Sequence, residues 1–173
     1  NTSGKPSPTT AMHVYHDLNG KLPFILDGGP CQVGLESTVV DMTAEIPTVL
    51  RPGGVTPDML LTVLPEVRVS DSVLRPLRDG ERALSPGMRY RHYAPGGQLT
   101  LVRGGQANVE AVCRLMYGEA VRAGKSARVL AFEEHLSAYA GLNVLSIGSL
   151  QHPETIAREL FAVLRRMDEE GVE

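Results

Sequence analysis

The 173-residue sequence is short of cysteine, of long apolar runs and of excess positive charge. Its two cysteines, Cys31 and Cys113, fit no zinc-binding or redox spacing, so we expect free thiols in a reducing cytoplasm. No apolar run approaches the roughly 20 residues of a membrane helix, and no signal peptide is visible, so we expect no membrane association. The net charge of −3 argues against stable, direct binding to a nucleic-acid backbone.

Complete versions of several common enzyme motifs are also missing. Residues 1–8 contain glycine, lysine and hydroxyls, but not in the Gly-Lys-Ser/Thr order of a Walker loop, and Gly104-Gly105 lacks the further spaced glycines of a dinucleotide-binding motif. Ser37 lies in Gly-Leu-Glu-Ser-Thr, which is not the Gly-x-Ser-x-Gly turn of a serine hydrolase. Cys31 is interpreted as a small packed thiol rather than a nucleophile.

Strand-like and helix-like segments alternate along the chain, which predicts an α/β protein. In the first part, we predict helices that begin after Thr9 or Thr10 and after Thr56, and strands at 24–26, 39–40, 47–50 and 67–69. Residues 70–97 are rich in Asp, Arg, Ser and Pro and are typical of an interdomain linker. Beyond them we predict a small parallel sheet, with strands at 99–102, 129–132 and 142–147 and helices at 108–122 and 153–167.

Three places could carry function. Arg51 ends a strand just before Pro52-Gly53-Gly54, where its guanidinium suits a phosphate or carboxylate, although a solvated arginine on a surface turn fits the pattern as well. The hydroxyl-rich loop 1–8 runs into a helix and is either an anion site or the start of an ordinary capped helix. His13 and His16 share a helix face but have no third ligand nearby in sequence, which favours surface histidines over a metal pair.

The end of the linker has an unusual composition for a tether. Residues 89–93 are two arginines, two tyrosines and a histidine. Such residues favour docking into a groove, with stacked rings and paired guanidinium groups, over an inert extended segment.

Five segments of the chain closely resemble threonylcarbamoyl-AMP synthases, in the long two-domain form of the YrdC-like family. These segments are residues 1–9, 26–31, 34–41, 50–54 and 85–95. The resemblance implies the C-terminal part of a YrdC-like α/β catalytic domain at 1–69, an extended linker at 70–97, and a small Rossmann-like parallel α/β domain at 98–173. It also implies that the family's lysine- and arginine-rich ATP-clamping segment lies upstream of this sequence. We therefore expect a fragment that is inactive alone.

The resemblance further implies a nucleotidyltransferase. Such an enzyme makes threonylcarbamoyl-adenylate from L-threonine, bicarbonate and ATP with release of pyrophosphate, and the product feeds N6-threonylcarbamoyladenosine modification of tRNA. Carried over by motif, Asn1, Ser7, Arg51 and Tyr93 would contact ATP, which would arrive with Mg²⁺, and Ser37 would contact threonine. Tyr90 or His92 would help Tyr93 to close the linker over the site. The alternative is a nucleotide- or RNA-binding regulatory module without turnover.

Overall fold

The computed structural model describes residues 4–75 and 95–173, which belong to two compact units. Residues 4–34 and 95–173 form the larger unit, and residues 35–75 form the smaller one. The helices are α1 (Ala11–Leu18), α2 (Pro57–Leu61), α3 (Asp71–Leu74), α4 (Gln106–Arg122) and α5 (Pro153–Glu169), with a 3₁₀ helix at Glu133–Tyr139. The strands are β1 (Val39–Asp41), β2 (Thr48–Arg51), β3 (Arg68–Val69), β4 (Val129–Ala131) and β5 (Val144–Ser146). The chain is therefore a mixed α/β protein with small sheets, as predicted.

Two helices begin where the sequence predicts. The Thr10 side chain accepts a hydrogen bond from the backbone N–H of His13 and so caps α1. The Thr56 side chain accepts from the N–H of Met59, and Pro57 occupies the first turn of α2. Both arrangements supply an acceptor to an N–H group that the first helical turn leaves without a partner.

The smaller unit is built on a three-stranded mixed sheet. Strand β2 lies at its centre, antiparallel to β1 and parallel to β3. Val49 and Leu50 of β2 are buried, and Arg51, the last residue of the strand, therefore lies at the edge of the core. The strands predicted at 39–40 and 47–50 are both present, and they pair with each other as an antiparallel hairpin.

The larger unit contains the parallel pair β4–β5. Its buried cluster of Val129, Ala131 and Tyr139 packs against α4 and the 3₁₀ helix through Cys113, Tyr117 and Leu136. Helix α5 buries an apolar stripe at Phe161, Leu164 and Met167, together with one charged residue, Arg165. Arg165 donates hydrogen bonds to the backbone of the loop that precedes α1.

Two of the predicted strands are absent from the described part of the chain. Residues 24–26 and 99–102 have no strand assignment, and apolar side chains in both segments are exposed, as at Leu26 (90%) and Leu101 (71%). A strand needs a hydrogen-bonded neighbour, and among the described residues neither segment has one. Among residues 95–173, the sheet predicted for the C-terminal part therefore has two strands rather than three. The domain boundaries at 1–69, 70–97 and 98–173 stay a prediction.

Candidate functional site

The end of strand β2 brings together two residues that sequence reasoning selected separately. Arg51 donates from Nε to the main-chain carbonyl oxygen of Ser37 at 3.0 Å, and from Nη2 to the Ser37 hydroxyl at 3.1 Å. Its Nη1 atom lies 4.0 Å from a carboxylate oxygen of Glu36. Arg51 is thus held in one orientation, with its side chain only 18% exposed, while Ser37 itself is exposed.

A close backbone approach fixes this arrangement. A Cβ atom on Gly53 would collide with the carbonyl oxygen of Glu36 and the nitrogen of Thr38, and would lie 2.7 Å from the carbonyl carbon of Ser37. Thr38 adds a second connection, because its hydroxyl donates to the carbonyl of Val55 at 2.7 Å and accepts from the Val55 N–H at 3.2 Å. The Gly53 turn and the Ser37 segment are therefore locked side by side.

The direction of the hydrogen bonds determines what Ser37 can offer a ligand. A hydroxyl has one donor and two acceptor positions, and here Arg51 occupies an acceptor position. The Ser37 O–H remains a donor that can be directed at an acceptor such as a carboxylate or phosphate oxygen. The Arg51 guanidinium lies against the same oxygen and can also attract an anionic group, although the Glu36 carboxylate 4.0 Å away offsets part of its charge.

Ser7 belongs to the larger unit, in the half-buried loop that leads into α1. Its carbonyl oxygen accepts a hydrogen bond from Arg165 Nε at 3.3 Å. In the same loop, buried Thr9 donates its N–H to His13 Nδ1 at 3.2 Å, and its carbonyl accepts from the N–H of Cys31 at 2.8 Å. Burial, followed by the positive charge of Arg165, lowers the pKa of His13 below its ordinary value of 6.5 and favours the neutral, hydrogen-bond-accepting ring.

Comparisons with known proteins place these motifs in one family. Residues 55–173 match the family model described as "Threonylcarbamoyl-AMP synthase, C-terminal domain", and residues 1–53 match the Sua5/YciO/YrdC model described as "Telomere recombination". The chain belongs to the threonylcarbamoyl-AMP synthase family. The resemblance predicted from the five sequence segments is thereby confirmed.

Relatives of known name agree with this assignment along the full length of the chain. The Bacillus subtilis threonylcarbamoyl-AMP synthase is 39% identical over 173 residues, which are 100% of this chain and 48% of that protein. The crystal structure of Pyrococcus abyssi Sua5 complexed with L-threonine matches 99% of this chain and 48% of its own, with 39% identity and a TM-score of 0.83. A variant of that Sua5, with an adjacent histidine and tyrosine changed to alanine, gives 36% identity and a TM-score of 0.85 over 100% of this chain and 48% of its own. The chain spans about half the length of these relatives.

The remaining predicted site residues of this family member fall outside the described ranges. Asn1 and Tyr93, together with Tyr90 and His92, are not among residues 4–75 and 95–173. Their roles stay predictions. Of the five residues predicted to contact ATP or threonine, the structure describes Ser7, Ser37 and Arg51.

Metal-binding and membrane-spanning features were sought in the same described part of the chain. Residues 4–75 and 95–173 contain no group of three or more His, Cys, Asp or Glu side chains that could hold a metal ion. His13 and His16 belong to no such group in these ranges, although His16 Nδ1 lies 3.5 Å from a carboxylate oxygen of Glu169. No helix in these ranges has the length and apolar character required to span a membrane. Cys31 and Cys113 are both free thiols, but Cys31 is exposed, so the prediction of a packed thiol at that position was wrong.

Sequence reasoning missed two residues that organise the site. Glu36 lies within a recognised motif, and its position beside Ser37 was the available signal that it would face Arg51. Arg165 was missed because residues 153–167 were interpreted only by their apolar positions. An arginine four residues after Phe161, on the stripe that α5 buries, was the signal for a charged group with a buried partner.

Proposed function

We propose that this chain forms part of a threonylcarbamoyl-AMP synthase. In this reaction the amine of L-threonine combines with bicarbonate to give a carbamate, with loss of water. A carbamate oxygen then attacks the α-phosphorus of ATP, the bond to the β-phosphate oxygen breaks, and pyrophosphate leaves. The product passes in the cytoplasm to the machinery that modifies tRNA with N6-threonylcarbamoyladenosine. The observation that carries the proposal is the Arg51–Ser37 pair, held at a strand end in a chain of this family.

The chemistry needs positioning and charge neutralisation more than a covalent nucleophile. Arg51 supplies a fixed positive charge for a phosphate oxygen of ATP. Ser37 supplies an O–H donor for threonine, a role that agrees with the bound amino acid named for the related Sua5 structure. Ser7, with Asn1 and Tyr93, completes the proposed ATP contacts. No residue is assigned as a catalytic acid, base or nucleophile.

Mg²⁺ is proposed to arrive with ATP. This ion prefers oxygen ligands and is commonly held by substrate phosphates and one or two carboxylates, rather than by an all-protein cage. The described residues provide no such cage, so the protein's share of the coordination is not assigned to any of them. When bound to the phosphates, the ion would neutralise part of their negative charge.

The segment from Leu84 to Pro95 is proposed to close over the site. Its His92-Tyr93 pair is the one His-Tyr dipeptide in the sequence, and the related Sua5 variant carries alanine at an adjacent histidine and tyrosine. Deletion of residues 84–95 should lower turnover in a form of the chain that is extended upstream to the length of its relatives. ATP binding to the rest of that protein should stay detectable. Normal turnover after the deletion would show that the segment only connects the two parts of the chain.

The experiment that tests the function is measurement of pyrophosphate release from ATP. Two proteins are compared, this chain and a form extended upstream to the length of its relatives, each with and without threonine and bicarbonate. We expect release only from the extended form and only when both co-substrates are present. Pyrophosphate release that does not depend on threonine in the extended form would contradict the synthase and favour a nucleotide- or RNA-binding regulatory module. If that module binds RNA, its affinity for RNA should weaken steeply with increasing salt.

A further inference from the structure

Helix α5 carries an arginine that holds the backbone of the Ser7 loop. Arg165 donates from Nη2 to the carbonyl oxygen of Pro6 at 2.6 Å and from Nε to that of Ser7 at 3.3 Å. It is only 6% exposed, and Pro6 is among the most deeply buried residues of the described part of the chain. One side chain therefore fixes two successive peptide units of a loop that lies 158 residues away in sequence.

The same guanidinium forms a bidentate ion pair with helix α1. Its Nη1 and Nη2 atoms donate to the two carboxylate oxygens of Asp17 at 3.1 Å and 2.6 Å, and the two side chains are only 7% and 3% exposed. A buried ion pair contributes little net stability, because desolvation of both charges offsets their attraction. The geometry is better explained by what it orients, since the planar fork of arginine fixes both the carboxylate and the loop carbonyls.

The orientation of the loop follows from peptide geometry. The carbonyl and the N–H of one trans peptide unit point in opposite directions. The unit that joins Pro6 to Ser7 turns its carbonyl toward Arg165, so the N–H of Ser7 points away from it. The next unit uses its carbonyl in the same way, and its nitrogen belongs to Pro8, which has no N–H to present.

Arg165 does not itself have room for a nucleotide. The cavity beside it has a volume of about 90 Å³ and is lined by Lys5, Pro6, His16, Asp17, Arg165, Asp168 and Glu169. Pockets for nucleotide-sized molecules are on the order of 300 Å³ or more. The carboxylates in the lining also oppose a phosphate group. The guanidinium therefore acts on the loop rather than on a ligand.

We propose that Arg165, paired with Asp17, is a positioning residue that sets the Ser7 loop for ATP. Helix α5 thereby couples the C-terminal part of the chain to the nucleotide-binding loop. The inference rests on the proposed function for the identity of the ligand. The clamp on the Pro6 and Ser7 carbonyls is independent of that function and can be tested without it.

The test uses two variants and one matched control. The double variant Asp17→Asn/Arg165→Met removes both charges together, so no unpaired charge is left buried. Arg165→Lys keeps the charge opposite Asp17 but has three donors without the planar fork. The control is Arg114→Met, because Arg114 likewise donates to two carbonyls, those of Ala138 and Ala140, and pairs with Glu110, all outside the loop.

The first readout is hydrogen exchange at the loop amides of residues 5, 7, 9 and 10, measured on this chain without any ligand. We expect exchange at least about tenfold faster in the double variant, an intermediate change in Arg165→Lys, and no change in the control. Unchanged exchange in the double variant would overturn the clamp, whatever the protein's activity.

The second readout is the KM for ATP in the extended form. Misplacing a binding group by about 1 Å can cost about a hundredfold, so we expect the KM for ATP to rise about tenfold to a hundredfold while the KM for threonine is unchanged. A purely structural role would instead lower the folded fraction and leave both KM values alone, which would overturn the inference. An unsubstituted extended protein that neither binds nor uses ATP would contradict the proposed function itself, and the exchange data would still decide whether Arg165 holds the loop.

Discussion

Arg51 contacts Ser37 through both of the oxygens that the serine offers, although the two residues are 14 positions apart. The contact makes the serine's position depend on the arginine. Since the hydroxyl accepts from Arg51, loss of the arginine frees the serine rotamer as well as removing a charge. A substitution at Arg51 should therefore affect more than one substrate.

Arg51→Ala in the extended form should raise the KM for ATP by about tenfold to a hundredfold. That range corresponds to the roughly 1.5–3 kcal/mol of a charge-assisted hydrogen bond. The KM for threonine should rise as well, by a smaller factor, because Ser37 loses its anchor. Steady-state pyrophosphate release with each substrate varied in turn measures both effects.

Arg68→Ala is the matched control for that prediction. Arg68 lies on the neighbouring strand β3, is 64% exposed and pairs with exposed Glu66 at 3.5 Å. Exposed pairs of this kind contribute about 0–1 kcal/mol, so kinetics should not change. If Arg51→Ala behaved like Arg68→Ala, Arg51 would not belong to the site.

Gly53→Ala should destabilise the smaller unit by about 1–3 kcal/mol, because the new Cβ would meet the backbone of Glu36 and Thr38, which cannot move aside as a flexible side chain could. Urea unfolding of this chain measures the free energy directly. Gly118→Ala in α4 is the control, since open space surrounds its Cβ position, and it should raise stability by up to about 1 kcal/mol. Equal stability of the two variants would mean that the turn tolerates a wider spacing from the Ser37 segment.

Much of the local structure could be predicted from sequence because its causes are local. Thr10, Thr56 and Pro57 act within one helical turn, so the starts of α1 and α2 follow from them. Strand pairing is not local, and residues 24–26 have β-forming side chains but no neighbouring strand in the described part of the chain. The packing of α4 is not local either, since the helix contacts the core through Cys113 and Tyr117 while the larger apolar side chain of Leu115 is 58% exposed.

The candidate site shows the same division. The end of β2 at Arg51 follows from the proline and glycines after it, which is why the arginine could be selected from sequence. Its contact with Ser37 depends on how β1 pairs with β2, including a register irregularity between Val39 and Val40, and spacing alone does not reveal that. The Arg165 clamp depends on tertiary packing between the two ends of the larger unit.

Glu134 should make stability depend on pH in the acid range. Its carboxylate accepts hydrogen bonds from the Ser149 hydroxyl and from the N–H groups of Leu150 and Gln151, and the Ser149 bond is the main cause that lowers the pKa of Glu134 to about 2. Between pH 4.5 and about 2 the unfolded chain binds a proton that the folded chain does not. The contribution to stability is therefore complete above pH 4.5 and lost as the pH falls toward 2.

Unfolding measured from pH 6 to pH 2.5 should show this loss in the unsubstituted chain and a shallower loss in Glu134→Gln. Glu133→Gln is the control, because Glu133 is the adjacent residue on the same 3₁₀ helix and is exposed. Identical acid profiles for Glu134→Gln and the unsubstituted chain would show that the carboxylate does not hold the turn at Leu150.

His13 should add a second pH dependence, nearer neutrality. The pKa of His13 is lowered by burial and by Arg165, with a smaller opposing effect of Glu169 and of Asp17, so the folded ring stays neutral at a pH where the unfolded ring is protonated. As the pH falls below about 6.5, the unfolded state binds the extra proton and the free energy of unfolding declines. Above that value His13 contributes no pH dependence to the free energy of unfolding. Protonation would also remove the Nδ1 acceptor that Thr9 uses, so the loop should loosen together with the loss of stability.

Urea unfolding and loop hydrogen exchange between pH 7.5 and 5.5 test this effect in the chain and in His13→Gln. The substituted chain should show a smaller decline in stability across this range, because its residue 13 cannot titrate. His152→Gln serves as the control, since His152 is 68% exposed and pairs with Glu154 at the start of α5. If the free energy of unfolding declined by the same amount in His13→Gln as in the unsubstituted chain, the pH dependence would come from another group. The hydrogen bond from Thr9 to His13 would then not contribute to it.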